Sequence, residues 1–306
     1  MSSIISKDLF IVGPTGCGKS DLSLTLAHKL QCPIVNCDSL QFFSDLKIGT
    51  AYPSDDDFSK ATHLLYGVAM AGTAFTAGEF VRQFEILRQH DLYKNQMFLI
   101  VGGSGFYIQA LETGMEEIET LTPEMKHKIS FLNQLSLKEK IQKLKDVDPE
   151  SLKNIHIHDE YRIHRALDVF FSQDKKMSEV KKKSATSRHA KLGLYLDRDE
   201  LLKKISDRVD RMLNLGLIEE VQGLIKKGLS DWKPLQSVGY KEVQMYLEDQ
   251  ISKDQMTSMI IKNTMHLAKR QMTWFRADPK VVWFHAEKEK SKALSWVIDK
   301  SNMEKP

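Results

Sequence analysis

The stretch Leu9-Phe10-Ile11-Val12-Gly13-Pro14-Thr15-Gly16-Cys17-Gly18-Lys19-Ser20 decides the fold. Residues 8–12 read as a short buried strand, and from Lys19 to Leu30 the side chains of Leu22, Leu26 and Leu30 share one helical face. The turn between them satisfies the pattern G-x-x-x-x-G-K-[ST], the phosphate-binding P-loop. In such a loop, backbone N–H groups converge on phosphate oxygens while the positive helix start and a lysine ammonium add attraction for a multiply charged anion. Gly13, Pro14, Thr15, Gly16, Cys17, Gly18, Lys19 and Ser20 are therefore the candidate diphosphate or nucleotide cradle. Ser20 stands where a Mg²⁺ ligand belongs.

Working outward, residues 33–37 and 97–101 are apolar enough to be further strands covered on both faces, which implies a parallel sheet. From about 116 to 183 the pattern turns helical and rich in lysine, leucine and glutamate, with Pro123 and Pro149 near helix starts. Residues 191–196 return to the sheet, and the remainder reads as mostly helical. The expected architecture is α/β: a P-loop NTPase-like parallel sheet core flanked by helices, formed by 1–115 and 186–306, with a mainly helical insertion at 116–185.

Bulk properties narrow the class. The chain has 306 residues, 42% hydrophobic and 28% charged, a globular composition. Its apolar runs fall far short of the roughly 20 residues that span a bilayer. The N-terminus enters the first strand within a few residues, which leaves no room for a signal peptide, so a cytoplasmic protein is expected. Cys17, Cys32 and Cys37 match neither a disulfide framework nor a zinc pattern. The formal charge is only +3, but two clusters, Lys181, Lys182, Lys183, Arg188 and Lys191, then Lys262, His266, Lys269, Arg270 and Arg276, are candidates to face a polyanion.

One feature argues against ordinary nucleotide hydrolysis. P-loop NTPases carry an aspartate at the end of an apolar strand to help hold Mg²⁺. Here residues 97–101 run straight into Gly102-Gly103-Ser104-Gly105. The acidic residue after an early strand is Asp38, which lies beside the phosphate loop if the first two strands lie close. The loop is thus expected to hold a diphosphate whose other end carries the reacting carbon.

Gly13 to Ser20, Asp38-Ser39-Leu40-Gln41 with Ile48-Gly49-Thr50-Ala51, and Val101 to Tyr107 together resemble the tRNA dimethylallyltransferases of bacterial type. Thr62 to Leu65, Tyr161 to Leu167, Ser237 to Glu242 and Ala268 to Arg276 extend the resemblance over nearly the whole chain. Ser104 stands where that family usually has threonine, and retains the hydroxyl. Phe43 stands where tyrosine is common.

The resemblance implies transfer of a dimethylallyl group from dimethylallyl diphosphate to N6 of adenine 37 beside a tRNA anticodon, with Mg²⁺ on the diphosphate. Asp38 is then the candidate base, because an exocyclic amine becomes acidic as its new C–N bond forms. Lys19, Arg208 and the loop amides would stabilise the leaving group, with Arg211 as the competitor to Arg208. Ser104 would bond the acceptor or diphosphate region. The resemblance assigns tRNA contact to Asp38, Ser39, Leu40, Gln41, Ser104, Lys126, Tyr161, Arg162, Ile163, His164, Arg165, Ser237, Val238, Gly239, Tyr240, Lys241 and Glu242. Trp274 and Phe275 read as core packing. A monomer is expected. Two other functions share parts of this pattern: an adenylate isopentenyltransferase acting on free AMP, ADP or ATP, and a P-loop NTPase that binds RNA.

Overall fold

The computed structural model describes residues 8–114, 122–179 and 189–303, without the side chains of 123–128, 302 and 303. Two compact units result, Met1–Gly114 with Thr186–Pro306, and Met115–Ala185.

In the larger unit, strands β1 (Leu9–Val12), β2 (Ile34–Asn36), β3 (His63–Leu64), β4 (Leu99–Val101), β5 (Ala190–Tyr195) and β6 (Val281–His285) form one sheet in the order β3-β2-β4-β1-β5-β6. Every pairing is parallel. The physical reason is visible in β1, β2 and β4, whose residues are all buried, as a sheet covered on both faces requires. Helices α1 (Lys19–Leu30), α2 (Asp55–Lys60), α3 (Ala77–Gln89) and α4 (Gly105–Thr113) belong to the first half of this unit. The smaller unit contributes α5 (Pro123–Gln134), α6 (Leu137–Val147), α7 (Pro149–Leu152) and α8 (Glu160–Gln173). The larger unit resumes with α9 (Arg198–Asn214), α10 (Leu217–Lys226), α11 (Tyr240–Leu247), α12 (Lys253–Arg276) and α13 (Lys290–Met303).

Two apolar layers sandwich the sheet. Leu9, Ile11, Leu99 and Leu192 pack on one side with Leu22 and Leu26 of α1 and Ile205 of α9. Phe10, Val12, Val35 and Ile100 pack on the other with Phe80 and Phe84 of α3. Completely burying a leucine or phenylalanine contributes roughly 1.5–3 kcal/mol, so these layers outweigh any local propensity in fixing the sheet.

The sheet order corrects one expectation: β4 lies between β1 and β2, so Asp38 does not reach the phosphate loop through adjacent strands. Two further strands, β3 and β6, lie outside the segments expected to be strands. β3 has only two residues. β6 lies on the sheet edge within a segment read as helical, although Val281-Val282-Trp283-Phe284 after Pro279 carries the β-branched and aromatic signal of a strand.

The smaller unit has its own core of Leu132, Leu144, Ile163, Ala166 and Leu167. Ser136 caps α6 reciprocally with Glu139, and Asp159 caps α8 by accepting from Arg162 N–H at 3.1 Å. Among the described residues no helix is long and apolar enough to cross a membrane.

Candidate active site

Parallel strands present their C-terminal ends along one edge of the sheet, and ligands of open α/β folds bind there. Gly13 follows β1, Cys37 and Asp38 follow β2, and Gly102 follows β4, so the phosphate loop and the two other motif segments share that edge.

Within the cradle, the Lys19 ammonium donates to the carbonyls of Gly13 at 3.0 Å and Pro14 at 2.8 Å. It has a third donor left for an anion. Ser20 is exposed at the start of α1, with its hydroxyl unbonded among the described residues. The members of the motif are not equivalent. Pro14 has no N–H to offer and serves through its carbonyl. The Cys17 side chain is buried in the core, and that burial pushes its thiol pKa up, so only its backbone can face a ligand.

Arg208, on α9, donates from Nη1 to Thr15 Oγ1 at 3.1 Å and from Nη2 to the Thr50 carbonyl at 3.2 Å. Burial pulls its pKa down, while the nearby Asp38 carboxylate pushes it back up. Arg211 is exposed and bonds the carbonyl of Asp207 on its own helix at 3.3 Å. Of the two arginines, Arg208 is therefore the one turned to the cradle.

Asp38 is held from behind. The buried Asn36 accepts Asp38 N–H through Oδ1 at 2.8 Å and donates from Nδ2 to the carbonyls of Asp38 and Leu65 at 3.2 and 3.1 Å. Asp38 Oδ1 accepts Leu40 N–H at 3.1 Å, an Asx turn, and Oδ2 takes no hydrogen bond among the described residues. One carboxylate oxygen thus positions the group and the other is available to accept a proton.

The glycine run after β4 ties these parts together. A Cβ on Gly102 would stand 1.9 Å from the Cys37 carbonyl, so only glycine lets the chain cross the end of β2 there. Ser104 Oγ accepts Ser39 N–H at 3.0 Å and donates to Ser39 Oγ at 3.3 Å. Its hydroxyl is engaged in clipping the Asp38 segment to the end of β4. Gln271, on α12, accepts Thr15 N–H at 2.8 Å and donates to the Gly103 carbonyl at 3.0 Å.

A second support lies behind the Arg208 contact. The Glu220 carboxylate accepts the N–H groups of Lys47, Ile48 and Gly49 at 3.0, 2.8 and 3.2 Å, together with the Tyr240 hydroxyl at 2.9 Å. That grips the loop whose Thr50 and Ala51 carbonyls also receive Gln41 Nε2, both at 3.1 Å.

These contacts revise several residue expectations. Tyr240 is completely buried against Gly49, and the buried Glu242 bonds Gly239 N–H and Asn263 at 2.7 Å each. Both side chains build the protein interior, whereas Lys241 between them is exposed. Leu40 packs partly buried against the core, while Ser237 and Val238 are half-buried and Gly239 is buried. In the smaller unit Ile163 is in the core, because five consecutive helical residues span more than one turn and cannot share one face. Tyr161 and Arg162 are exposed, Arg165 is half-buried, and half-buried His164 lies 3.3 Å from Asp168.

Lys191 is likewise no polyanion contact: it is buried between Glu112 at 2.7 Å and Asp278. Its companions Lys181, Lys182, Lys183 and Arg188 lie outside the described residues, as does the side chain of Lys126. The second cluster fares differently. Lys262, His266, Lys269, Arg270 and Arg276 are all exposed on α12, and among the described residues none has an ion-pair partner. Phe275 is buried, whereas Trp274 is 44% exposed and its ring lies over Gly105.

Asn36, Glu220 and Gln271 were missed from sequence. Gln271 had a legible signal: it falls three residues after Ala268 and four before Phe275, on the buried stripe of α12, where a polar side chain demands a partner.

One arginine thus joins the Gly13–Ser20 turn to the loop that bears Asp38, and an exposed basic helix is tied to the same turn through Gln271. A family model described as IPP transferase matches residues 41–278. The chain belongs to the IPP transferase family. Its relatives include a tRNA dimethylallyltransferase of Bdellovibrio bacteriovorus, 37% identical over 90% of this chain and 92% of the relative. Another, from Christiangramia forsetii, is 33% identical over 95% and 97%. The solved full-length tRNA isopentenylpyrophosphate transferase of Bacillus halodurans is 27% identical with a TM-score of 0.72, covering 98% of each chain. A solved eukaryotic dimethylallyltransferase acting on tRNA, 24% identical over 96% of this chain and 78% of its own, shares the fold with a TM-score of 0.83.

Proposed function

We propose that this chain is a tRNA dimethylallyltransferase that moves the dimethylallyl group of dimethylallyl diphosphate onto N6 of adenine 37. The observation that carries the reading is the pair of Arg208 hydrogen bonds, which links the cradle at Thr15 to the loop beside Asp38. In this reading one guanidinium stands between the prenyl donor and the adenine acceptor.

In this reading the loop amides from Gly16 to Ser20, the Lys19 ammonium and Arg208 hold the diphosphate. The C1–O bond breaks with its electron pair leaving on the diphosphate, whose growing charge these donors stabilise. N6 attacks C1, and its proton passes to Asp38 Oδ2. Mg²⁺ fits the donor set, since the exposed Ser20 hydroxyl and diphosphate oxygens are hard oxygen ligands. When bound it would neutralise leaving-group charge. Adenine 37 has to leave the anticodon stack to reach Asp38. The exposed α12 cations, without an ion-pair partner among the described residues, fit contact with an RNA backbone, and exposed Tyr161 and Arg162 fit contact of the smaller unit with RNA. We read the working form as a monomer in the cytoplasm.

The test is label transfer from dimethylallyl diphosphate, with Mg²⁺, to tRNA bearing A36-A37-A38. Transfer to tRNA and negligible transfer to AMP is expected. Preference for AMP would make the protein an adenylate isopentenyltransferase, and ATP turnover without prenyl transfer would make it an NTPase.

A further inference from the structure

Gln271 joins parts of the molecule that sequence keeps far apart. Its Oε1 holds Thr15 in the cradle, and its Nε2 holds Gly103, the residue before Ser104. Ser104 in turn grips Ser39, next to Asp38. A single planar amide therefore spans from the donor side of the site to the acceptor side. The fit is close: a Cβ on Gly103 would stand 2.3 Å from Gln271 Nε2. Shortening the side chain by one methylene would leave it unable to reach both partners.

We propose that Gln271 is a positioning residue that fixes the separation between the prenyl diphosphate and the adenine, and so favours capture of the allylic carbon by N6 over capture by water. The inference rests on the prenyl-transfer reading. In productive turnover the C1–O bond to diphosphate breaks with its electron pair, the C1–N6 bond forms, and the N6 proton goes to Asp38. In the abortive route the same bond breaks, a C1–O bond forms to water, and a water proton passes to solvent, giving dimethylallyl alcohol and diphosphate. Attack by N6 requires reacting atoms held about 3–3.5 Å apart and aligned, and a displacement of about 1 Å can cost about 100-fold. Water is small and mobile and meets no such requirement, so loosening the clasp penalises transfer more than hydrolysis.

The experiment compares the full-length wild type with Gln271→Ala and Gln271→Asn. Each is incubated with dimethylallyl diphosphate labelled in the prenyl group, Mg²⁺ and tRNA bearing A36-A37-A38, and labelled tRNA and labelled dimethylallyl alcohol are counted from the same reaction. Transfer is expected to fall about 100-fold in both variants, with the alcohol-to-transfer ratio rising about tenfold or more. Alcohol formed in a parallel reaction without enzyme is subtracted, so a partly unfolded preparation leaves the ratio unchanged. The inference is overturned if transfer and alcohol fall together at the wild-type ratio, if both vanish, or if transfer is unaffected. Failure of the wild type to label tRNA would instead remove the functional reading itself.

Discussion

Arg208 Nη1 meets Thr15 Oγ1 at 3.1 Å although the two residues are 193 positions apart in the chain. The other terminal nitrogen bonds the Thr50 carbonyl, so the planar fork is used in two directions at once. A lysine ammonium is a single point of charge and cannot reproduce that geometry. Arg208→Lys should lower kcat by about 100-fold or more, as losing one leaving-group donor does. Steady-state kinetics with varied dimethylallyl diphosphate check this; a variant with wild-type kcat would remove Arg208 from the reaction.

Asp38→Asn keeps an Oδ1 acceptor for Leu40 N–H, so the Asx turn and the Asn36 contacts to its backbone persist. It removes the carboxylate that would take the proton. Turnover should drop by about 10²–10⁴ while tRNA affinity stays near wild type. Binding titrations beside single-turnover rates separate the two, and a large loss of affinity would reassign Asp38 to tRNA binding.

Asp148 sets an acid limit on the helical unit. It is buried and accepts hydrogen bonds from Ser151 N and Oγ at 3.2 and 2.5 Å and from Ser178 N and Oγ at 3.0 and 2.6 Å. Burial alone would raise its pKa, but these bonds outweigh it and hold the carboxyl below its ordinary value. Because the folded pKa is depressed, the stabilisation is fully present above the unfolded value of about 3.9 and is lost as pH falls through the folded one. Asp148→Asn should cost about 1–3 kcal/mol near neutral pH, with the gap from wild type closing in acid. Denaturant melts from neutral to acid pH measure the gap; a constant difference would mean that the charge plays no part.

Legibility differed sharply between the parts of the site. The cradle could be read because its chemistry is local: eight consecutive residues between a buried strand and a helix carry both the shape and the charge. The parallel sheet could be read from β1, β2 and β4 for a similar reason, since strands buried on both faces are apolar throughout. β6 could not be separated from its helical surroundings, because an edge strand has one partner and half-exposed side chains that blur the pattern. Tyr240 and Glu242 lie in a motif whose residues looked like a surface, and their burial depends on where Glu220 and Asn263 end up.

By itself, the sequence determined that a glycine-rich turn of phosphate-loop pattern opens an α/β sheet and that Asp38 is the carboxylate available after an early strand. Tertiary structure alone decided how that carboxylate meets the cradle, because β4 separates β1 from β2 and the connection runs through side chains. Arg208, Ser104 and Gln271 make it across separations of 193, 65 and 256 residues. Hydrogen bonds between such distant segments follow from the packing of whole helices on the sheet, and no local pattern of residues encodes them.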